Sequence, residues 1–149
     1  MKGNVLNLLW GIKRSFLGYL ERLPDCMIAT NEGVRRDSET GDFIFPLEER
    51  QELASGGYRW KFGGDLRIQA HGGMLLVIFM NPWLTVTDTG TELCVIDPMH
   101  WPDTSQREVL GVSQETSGSE FPLVLAEEAL ETFNNVYPAG ESLAPVRLA

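Results

Sequence analysis

The spacing of apolar side chains predicts one helix near the start of the chain. Between residues 8 and 23 the apolar residues recur at intervals of three and four, and charged residues lie between them, which is typical of an amphipathic helix. Pro24 follows and ends the predicted helix, because proline has no backbone N–H with which to continue the hydrogen bonding. The apolar positions of this helix are Trp10, Ile12, Phe16, Leu17 and Leu20.

Beyond Pro24 the pattern predicts strands and turns. Residues 58–62 and 66–70 alternate apolar and polar side chains, as antiparallel strands with one buried face do. Residues 74–80 form an uninterrupted apolar run, which indicates a core strand buried on both faces. Further strands are predicted at residues 43–45, 83–87, 93–96, 108–112 and 143–148.

A second short helix is predicted over residues 126–135, where three glutamates lie near the positive end of the helix dipole. The 149 residues suit a single domain, residues 1–149, which is large enough to fold without a disulfide or a structural metal. The expected fold class is therefore α+β and mainly β. It is an antiparallel β-sandwich or flattened barrel, with an N-terminal helix and a short helix near the C-terminus.

The charge distribution narrows the range of partners. Residues 1–72 carry ten Lys and Arg and ten Asp and Glu, whereas residues 73–149 carry two basic and eleven acidic residues, which gives the net charge of −9. Nucleic acid and anionic membranes are therefore not expected as partners. No apolar stretch is long enough for a membrane span. An anionic ligand would have to be held by the basic residues of the first half.

The N-terminal segment and the two cysteines add further expectations. The N-terminal segment lacks a signal peptide pattern, so the chain is expected to be cytoplasmic, or extracellular or at the cell surface if its N-terminus has been trimmed. Cys26 and Cys94 form no CxxC motif and no zinc-binding pattern, and whether they pair is left open. Cys94 lies in an apolar run and is expected to be buried.

Three residues, at two places in the chain, could carry chemistry. Ser15 and Tyr19 are four residues apart and therefore lie on one face of the predicted helix. A tyrosine in such a place commonly buries its ring and leaves its hydroxyl in water. His71 ends a predicted strand and precedes two glycines, which let another group approach closely. A lone histidine there is more often a hydrogen-bonded structural residue, and spacing alone does not separate the two interpretations.

Several short motifs follow one another in the order of a known family. They are WGIKRSFLGY at residues 10–19, GDFIFP at 41–46, FGGDLRIQAHGG at 62–73, NP at 81–82 and FNNVYPAGESL at 133–143. Together they resemble the HtaA domain, which is found in bacterial haem-uptake proteins. Each motif is loose alone, but their shared order across the chain is specific.

This resemblance implies a site for haem, with a b-type haem expected as the cofactor. Tyr19 matches the tyrosine that coordinates ferric iron in haem-binding members, His71 the histidine that hydrogen-bonds that phenolate, and Ser15 the serine beside the haem. Tyrosine is an established haem ligand, and a hydrogen-bonded partner orients a ligand and tunes its binding. Arg35, Arg36 and Arg67 are candidates for contacts with the propionates.

Other functions stay open beside haem binding. Family members that act in haem uptake are exported or anchored, whereas this sequence shows no export signal. A binding protein for haem or a small apolar ligand is favoured over an enzyme. The alternative is a cofactor-free isomerase or cyclase of a small-molecule biosynthetic pathway, with Tyr19 and His71 as its acid and base across an apolar pocket. A third possibility is an interaction module, and the oligomeric state is open, a homodimer included.

Overall fold

The computed structural model describes residues 6–149, and the predicted absence of a signal peptide rests in part on residues outside them. One α-helix and twelve strands are present within this range. The helix α1 is Arg14–Glu21. The strands are β1 Asn7–Trp10, β2 Met27–Asn31, β3 Arg35–Arg36, β4 Phe43–Glu52, β5 Tyr58–Phe62, β6 Asp65–Ala70, β7 Leu75–Met80, β8 Trp83–Thr87, β9 Gly90–Ile96, β10 Arg107–Ser113, β11 Glu120–Leu125 and β12 Ser142–Leu148.

Eight strands close into an antiparallel barrel. Their order is β1-β12-β11-β10-β9-β8-β5-β4, and a further pairing of β1 with β4 closes the ring. Trp10 therefore has a partner on each side, Val146 of β12 and Phe43 of β4. The short strand β3 extends the sheet beyond β4. Of the two predicted architectures, the barrel is correct, and closure leaves β1 with no free edge.

A second sheet of three strands carries the hairpin that leads to the candidate site. Its order is β2-β6-β7, with both pairs antiparallel. Alternate residues of β6 and β7, among them Ile68, Val77 and Phe79, are buried against the rest of the domain. Because β6 and β7 are antiparallel neighbours, the turn between them lies at one end of this sheet.

A single hydrophobic core joins the barrel, the small sheet and the helix. Ring centroids lie 5.5 Å apart for Trp10 and Phe79, 6.4 Å apart for Phe79 and Phe133, and 5.3 Å apart for Phe133 and Phe16. These tilted arrangements are ones that aromatic pairs prefer. The helix is therefore fixed to the barrel through a continuous run of buried rings.

Three of the predicted elements need correction. Residues 8–10 belong to β1 and not to the helix, which begins at Arg14 after Ile12 has turned the chain with a φ of 64°. The predicted helix at 126–135 is two short 3-10 turns, Glu127–Ala129 and Glu131–Phe133. Strand β7 is buried mainly on one face, since Leu76 is 51% exposed on the other.

Candidate functional site

The helix α1 is anchored at its start by two basic side chains. Lys13 Nζ lies 3.0 Å from Glu141 Oε2 and 2.9 Å from the carbonyl oxygen of Ser142. Arg14 donates to the carbonyl oxygen of Thr40 at 2.9 Å and forms an ion pair with the buried Asp42. These contacts tie the first turn of the helix to segments on either side of it.

The amphipathic pattern decides which face of the helix meets solvent. Phe16, Leu17 and Leu20 are buried, as the spacing of apolar residues predicts. Ser15 and Tyr19 lie on the opposite, exposed face, and 45% of Tyr19 is accessible to solvent. The phenol is therefore open to a ligand from outside.

Gly18 leaves that exposed face flat beside the phenol. A Cβ atom placed on Gly18 would meet nothing within 4 Å, and the helix therefore has no packing reason for a glycine here. Glycine in a helix interior costs about 0.5–1 kcal/mol relative to alanine. Ser15, one turn earlier, is also small, so Ser15 and Gly18 leave space beside Tyr19 on this face.

His71 reaches Tyr19 from the β6–β7 turn. The distance between Tyr19 Oη and His71 Nε2 is 3.1 Å, a hydrogen bond that joins residues 52 positions apart. His71 has a φ of 56°, in the left-handed region, and Gly72 and Gly73 follow with φ of 65° and 91°. Left-handed backbone at a histidine is uncommon, and the two glycines adopt it at little cost.

This pair can share a proton in two ways. A phenol can donate its hydrogen to Nε2, or a protonated Nε2 can donate to a phenolate. The second arrangement favours the ionised oxygen, which is the form that binds a metal ion. The structure thus brings together two of the three predicted site residues, and Ser15 lies on the same helix face without a hydrogen bond to either ring among residues 6–149.

Asp25 lies beside the same turn and was not among the residues predicted from the sequence. Its Oδ2 accepts a hydrogen bond of 2.6 Å from the backbone N–H of Gly72. That hydrogen bond lowers the pKa of the Asp25 carboxyl below its usual value. Local sequence gives no sign of this contact, because 47 residues separate the two positions.

The three arginines proposed for an anionic ligand are in different situations. Arg36 pairs with Glu21 through two contacts of 2.9 and 3.2 Å and also donates to the carbonyl oxygen of Gly41. Arg67 pairs with Asp65 through two contacts of 3.0 Å. Arg35 is exposed. Their predicted contact with propionates stays a prediction.

Three further observations concern metal-ligand clusters, cysteines and membrane spans among residues 6–149. No group of three or more His, Cys, Asp and Glu side chains in this range could hold a metal ion. Cys26 and Cys94 are free, and Cys94 is buried as predicted. No helix in the described range is long and apolar enough to cross a membrane.

The closed barrel, the three-stranded sheet and the exposed helix together are the fold of one family of domains. The family model for HtaA matches residues 6–149, and the chain belongs to this family. No curated protein matches the chain. The expectation drawn from the five sequence motifs is thereby confirmed.

Solved structures with similar folds come from Corynebacterium glutamicum. The C-terminal domain of HtaA is 21% identical with a TM-score of 0.78, over 97% of this chain and 94% of that one. The N-terminal domain of HtaA is 15% identical with a TM-score of 0.75, over 99% and 97%. The haem-binding protein HtaB is 16% identical with a TM-score of 0.66, over 97% and 92%. At these identities the likeness concerns the fold.

Proposed function

We propose that this domain binds ferric haem on the exposed face of α1, with the Tyr19 oxygen as the iron ligand. The observation that carries the proposal is the 3.1 Å distance between Tyr19 Oη and His71 Nε2. Membership of the HtaA family and the likeness in fold to HtaB, a haem-binding protein by name, support it.

The residues present fit a haem group. A tyrosine oxygen is an established ligand of haem iron. The phenol is 45% exposed, and the small Ser15 and Gly18 lie on the same face of the helix, so a flat macrocycle has room to approach. Haem, when bound, would supply a ferric iron with an open coordination position for the phenolate.

His71 has a supporting role in this proposal. A neutral imidazole with its hydrogen on Nε2 can donate a hydrogen bond to the Tyr19 oxygen and so orient it as a metal ligand. Partners of this kind typically change metal affinity by about 10–100-fold. His71 thus sets how firmly Tyr19 holds its ligand.

The enzyme hypothesis gains no support from the same residues. An acid and base working across an apolar pocket need protection from water, and both Tyr19 and His71 are exposed. The isomerase or cyclase alternative therefore stays a prediction from the sequence. A homodimer likewise stays a prediction from the sequence.

Titration of the purified domain with hemin tests the proposal. We expect a Soret band that saturates at one hemin per chain, with visible bands typical of tyrosinate ligation. The control is Ser15→Ala, which keeps the ligand and its partner and is expected to keep the visible bands. A spectrum equal to the sum of free hemin and haem-free domain would contradict the proposal.

Gly18 provides a second test on the same helix face. Gly18→Ala is expected to raise the free energy of unfolding by about 0.5–1 kcal/mol, because alanine is the better helix former and its Cβ meets open space. Gly18→Leu is expected to fold equally well yet lower hemin affinity at least about tenfold, because the branched side chain would cover the face beside Tyr19. Urea denaturation and hemin titration measure the two effects.

Gly64 provides a contrasting position, where neither the backbone nor the surroundings accept a Cβ atom. At Gly64 the φ is +128° and a Cβ would lie 2.3 Å from Val34 Cγ2, so Gly64→Ala is expected to destabilise the fold.

If Gly18→Leu binds hemin as tightly as the wild-type domain, the ligand does not lie against the exposed face of α1 beside Tyr19.

A further inference from the structure

The turn that carries His71 is held by few hydrogen bonds within its own backbone. Residues 71–74 are all exposed, and three consecutive residues have a positive φ. One internal hydrogen bond, from the N–H of Met74 to the carbonyl oxygen of His71 at 3.1 Å, closes the turn. An exposed turn of this kind needs a contact from elsewhere to keep the imidazole in one place.

Asp25 supplies such a contact from the segment after α1. Its carboxylate accepts the Gly72 N–H at 2.6 Å, a short distance for an N–H donor. Hydrogen bonds to an ionised acceptor are stronger than those between neutral groups. The carboxylate is ionised at neutral pH, since the same N–H lowers the pKa of Asp25.

The register of the small sheet explains how Asp25 comes to this place. Met27 of β2 pairs with Gln69 of β6 in an antiparallel ladder. Continuing this register by two residues places Asp25 opposite His71, where the ladder has ended and the turn has begun. Asp25 therefore lies beside the first residues of the turn, where it accepts the Gly72 N–H.

We propose that Asp25 is a positioning residue for His71, whose carboxylate holds the Gly72 amide and so keeps the imidazole on the Tyr19 phenol. The inference rests on the proposed function for its consequence, which is slower loss of haem. Asp25 itself touches neither the phenol nor the ligand, and it acts through the backbone of the turn.

The first experiment uses the haem-free domain and NMR. In Asp25→Ala we expect the Gly72 amide to exchange with solvent at least about tenfold faster, since a hydrogen bond to a charged group is worth that much. We also expect loss of the nuclear Overhauser effect between the rings of Tyr19 and His71. In Asp25→Asn both signals should be kept within about threefold, because the amide oxygen still accepts the hydrogen bond.

A matched control separates positioning from a general effect of removing a carboxylate. Asp103 is also exposed and accepts a backbone N–H, that of Ser105 at 2.9 Å, in a different loop. Asp103→Ala is expected to leave the Gly72 amide and the contact between the rings unchanged. Unchanged exchange and an unchanged ring contact in Asp25→Ala would overturn the inference.

The second experiment measures the rate of haem transfer from the loaded domain to excess apomyoglobin. Asp25→Ala is expected to release haem about tenfold faster than the wild-type domain, and Asp25→Asn within about threefold of it. In a His71→Ala background the same Asp25→Ala change should add nothing, because the residue through which it acts is gone. Equal acceleration in both backgrounds would overturn the inference.

The two experiments distinguish a failure of the proposed function from a failure of the inference about Asp25. If the wild-type domain takes up no hemin, the proposed function is wrong, while the NMR measurements still decide whether Asp25 positions His71. If hemin binds as expected and Asp25→Ala keeps the Tyr19–His71 contact, the proposed function stands and the role of Asp25 is wrong.

Discussion

Replacing Tyr19 by phenylalanine is expected to lower the affinity of the domain for hemin by at least about 100-fold. The change removes one oxygen atom, which is the proposed iron ligand. The expected loss is this large because even the partners of metal ligands typically account for about 10–100-fold in affinity. The visible bands of tyrosinate ligation should disappear with it.

The fold should survive this substitution. Tyr19 is 45% exposed, and among residues 6–149 its hydroxyl bonds only to the exposed His71, so its removal is a surface change. Such changes usually alter the free energy of unfolding by less than about 0.5 kcal/mol. A loss of hemin binding could then be assigned to the oxygen atom and not to unfolding.

Tyr58 offers a matched control for the same chemistry. It is 38% exposed, and its ring packs against the guanidinium of Arg50 on the barrel. Tyr58→Phe also removes one exposed phenol oxygen and should leave hemin binding unchanged. Titrations of both variants beside the wild-type domain give the comparison. Equal affinity of Tyr19→Phe and the wild-type domain would show that Tyr19 is not the ligand.

The local pattern predicted the helix but not where it begins. Leu8 and Trp10 are two residues apart and face the core from a strand, while Phe16, Leu17 and Leu20 face it from a helix. The two periods meet at Trp10 and cannot be separated over so few residues. The pairing of β1 with both β4 and β12 is a long-range event that the sequence does not display.

Two other elements show why burial was harder to predict than element type. The apolar run that forms β7 indicates a strand, but a strand at the edge of a three-stranded sheet is covered on one face, and Leu76 is left exposed. At the predicted second helix, Ala129 and Phe133 are buried and four residues apart, as on one face of an α-helix, but the backbone forms two short 3-10 turns. Asn134 and Asn135, both with positive φ, end the turns.

The candidate site, like the fold, was predictable from the sequence only in part. Ser15 and Tyr19 share a helix face by simple spacing, and the family motif pointed to His71 as the partner of Tyr19. Asp25 was missed because its contact with Gly72 depends on the register between β2 and β6, which a single sequence does not reveal. The flat face at Gly18 needed the structure too, since glycine in a sequence more often marks a turn.

Replacing Trp10 by alanine is expected to destabilise the domain by about 3–5 kcal/mol, the usual cost of removing a large buried aromatic side chain. Trp10 is 1% exposed and packs against Phe79 of the small sheet. It also lies on the strand that closes the barrel, between β4 and β12. The total free energy of unfolding of a natural domain is only about 5–15 kcal/mol, so the variant should unfold at much lower denaturant concentration.

The hydrogen bond of the Trp10 indole nitrogen makes a contribution to the free energy of unfolding that can be measured separately. Trp10 Nε1 donates to the carbonyl oxygen of Ala144 at 2.8 Å. Ala144 lies where the register between β11 and β12 shifts and has no paired residue in β11. Trp10→Phe keeps a buried ring but leaves this carbonyl without its donor, which is expected to cost about 1–3 kcal/mol. Equilibrium urea denaturation should therefore order the proteins as wild type, Trp10→Phe and Trp10→Ala, from most to least stable.

Trp101 supplies the control for removing a tryptophan as such. It is 59% exposed, in the loop between β9 and β10. Trp101→Ala is expected to change the free energy of unfolding by no more than about 0.5 kcal/mol. Equal destabilisation by Trp10→Ala and Trp101→Ala would contradict the described core. Trp10 lies in the core, whereas Tyr19 lies on the exposed face of α1. Hemin binding by Trp10→Ala should therefore fall only at denaturant concentrations where the domain unfolds. Tyr19→Phe should lose hemin binding while the domain is still folded.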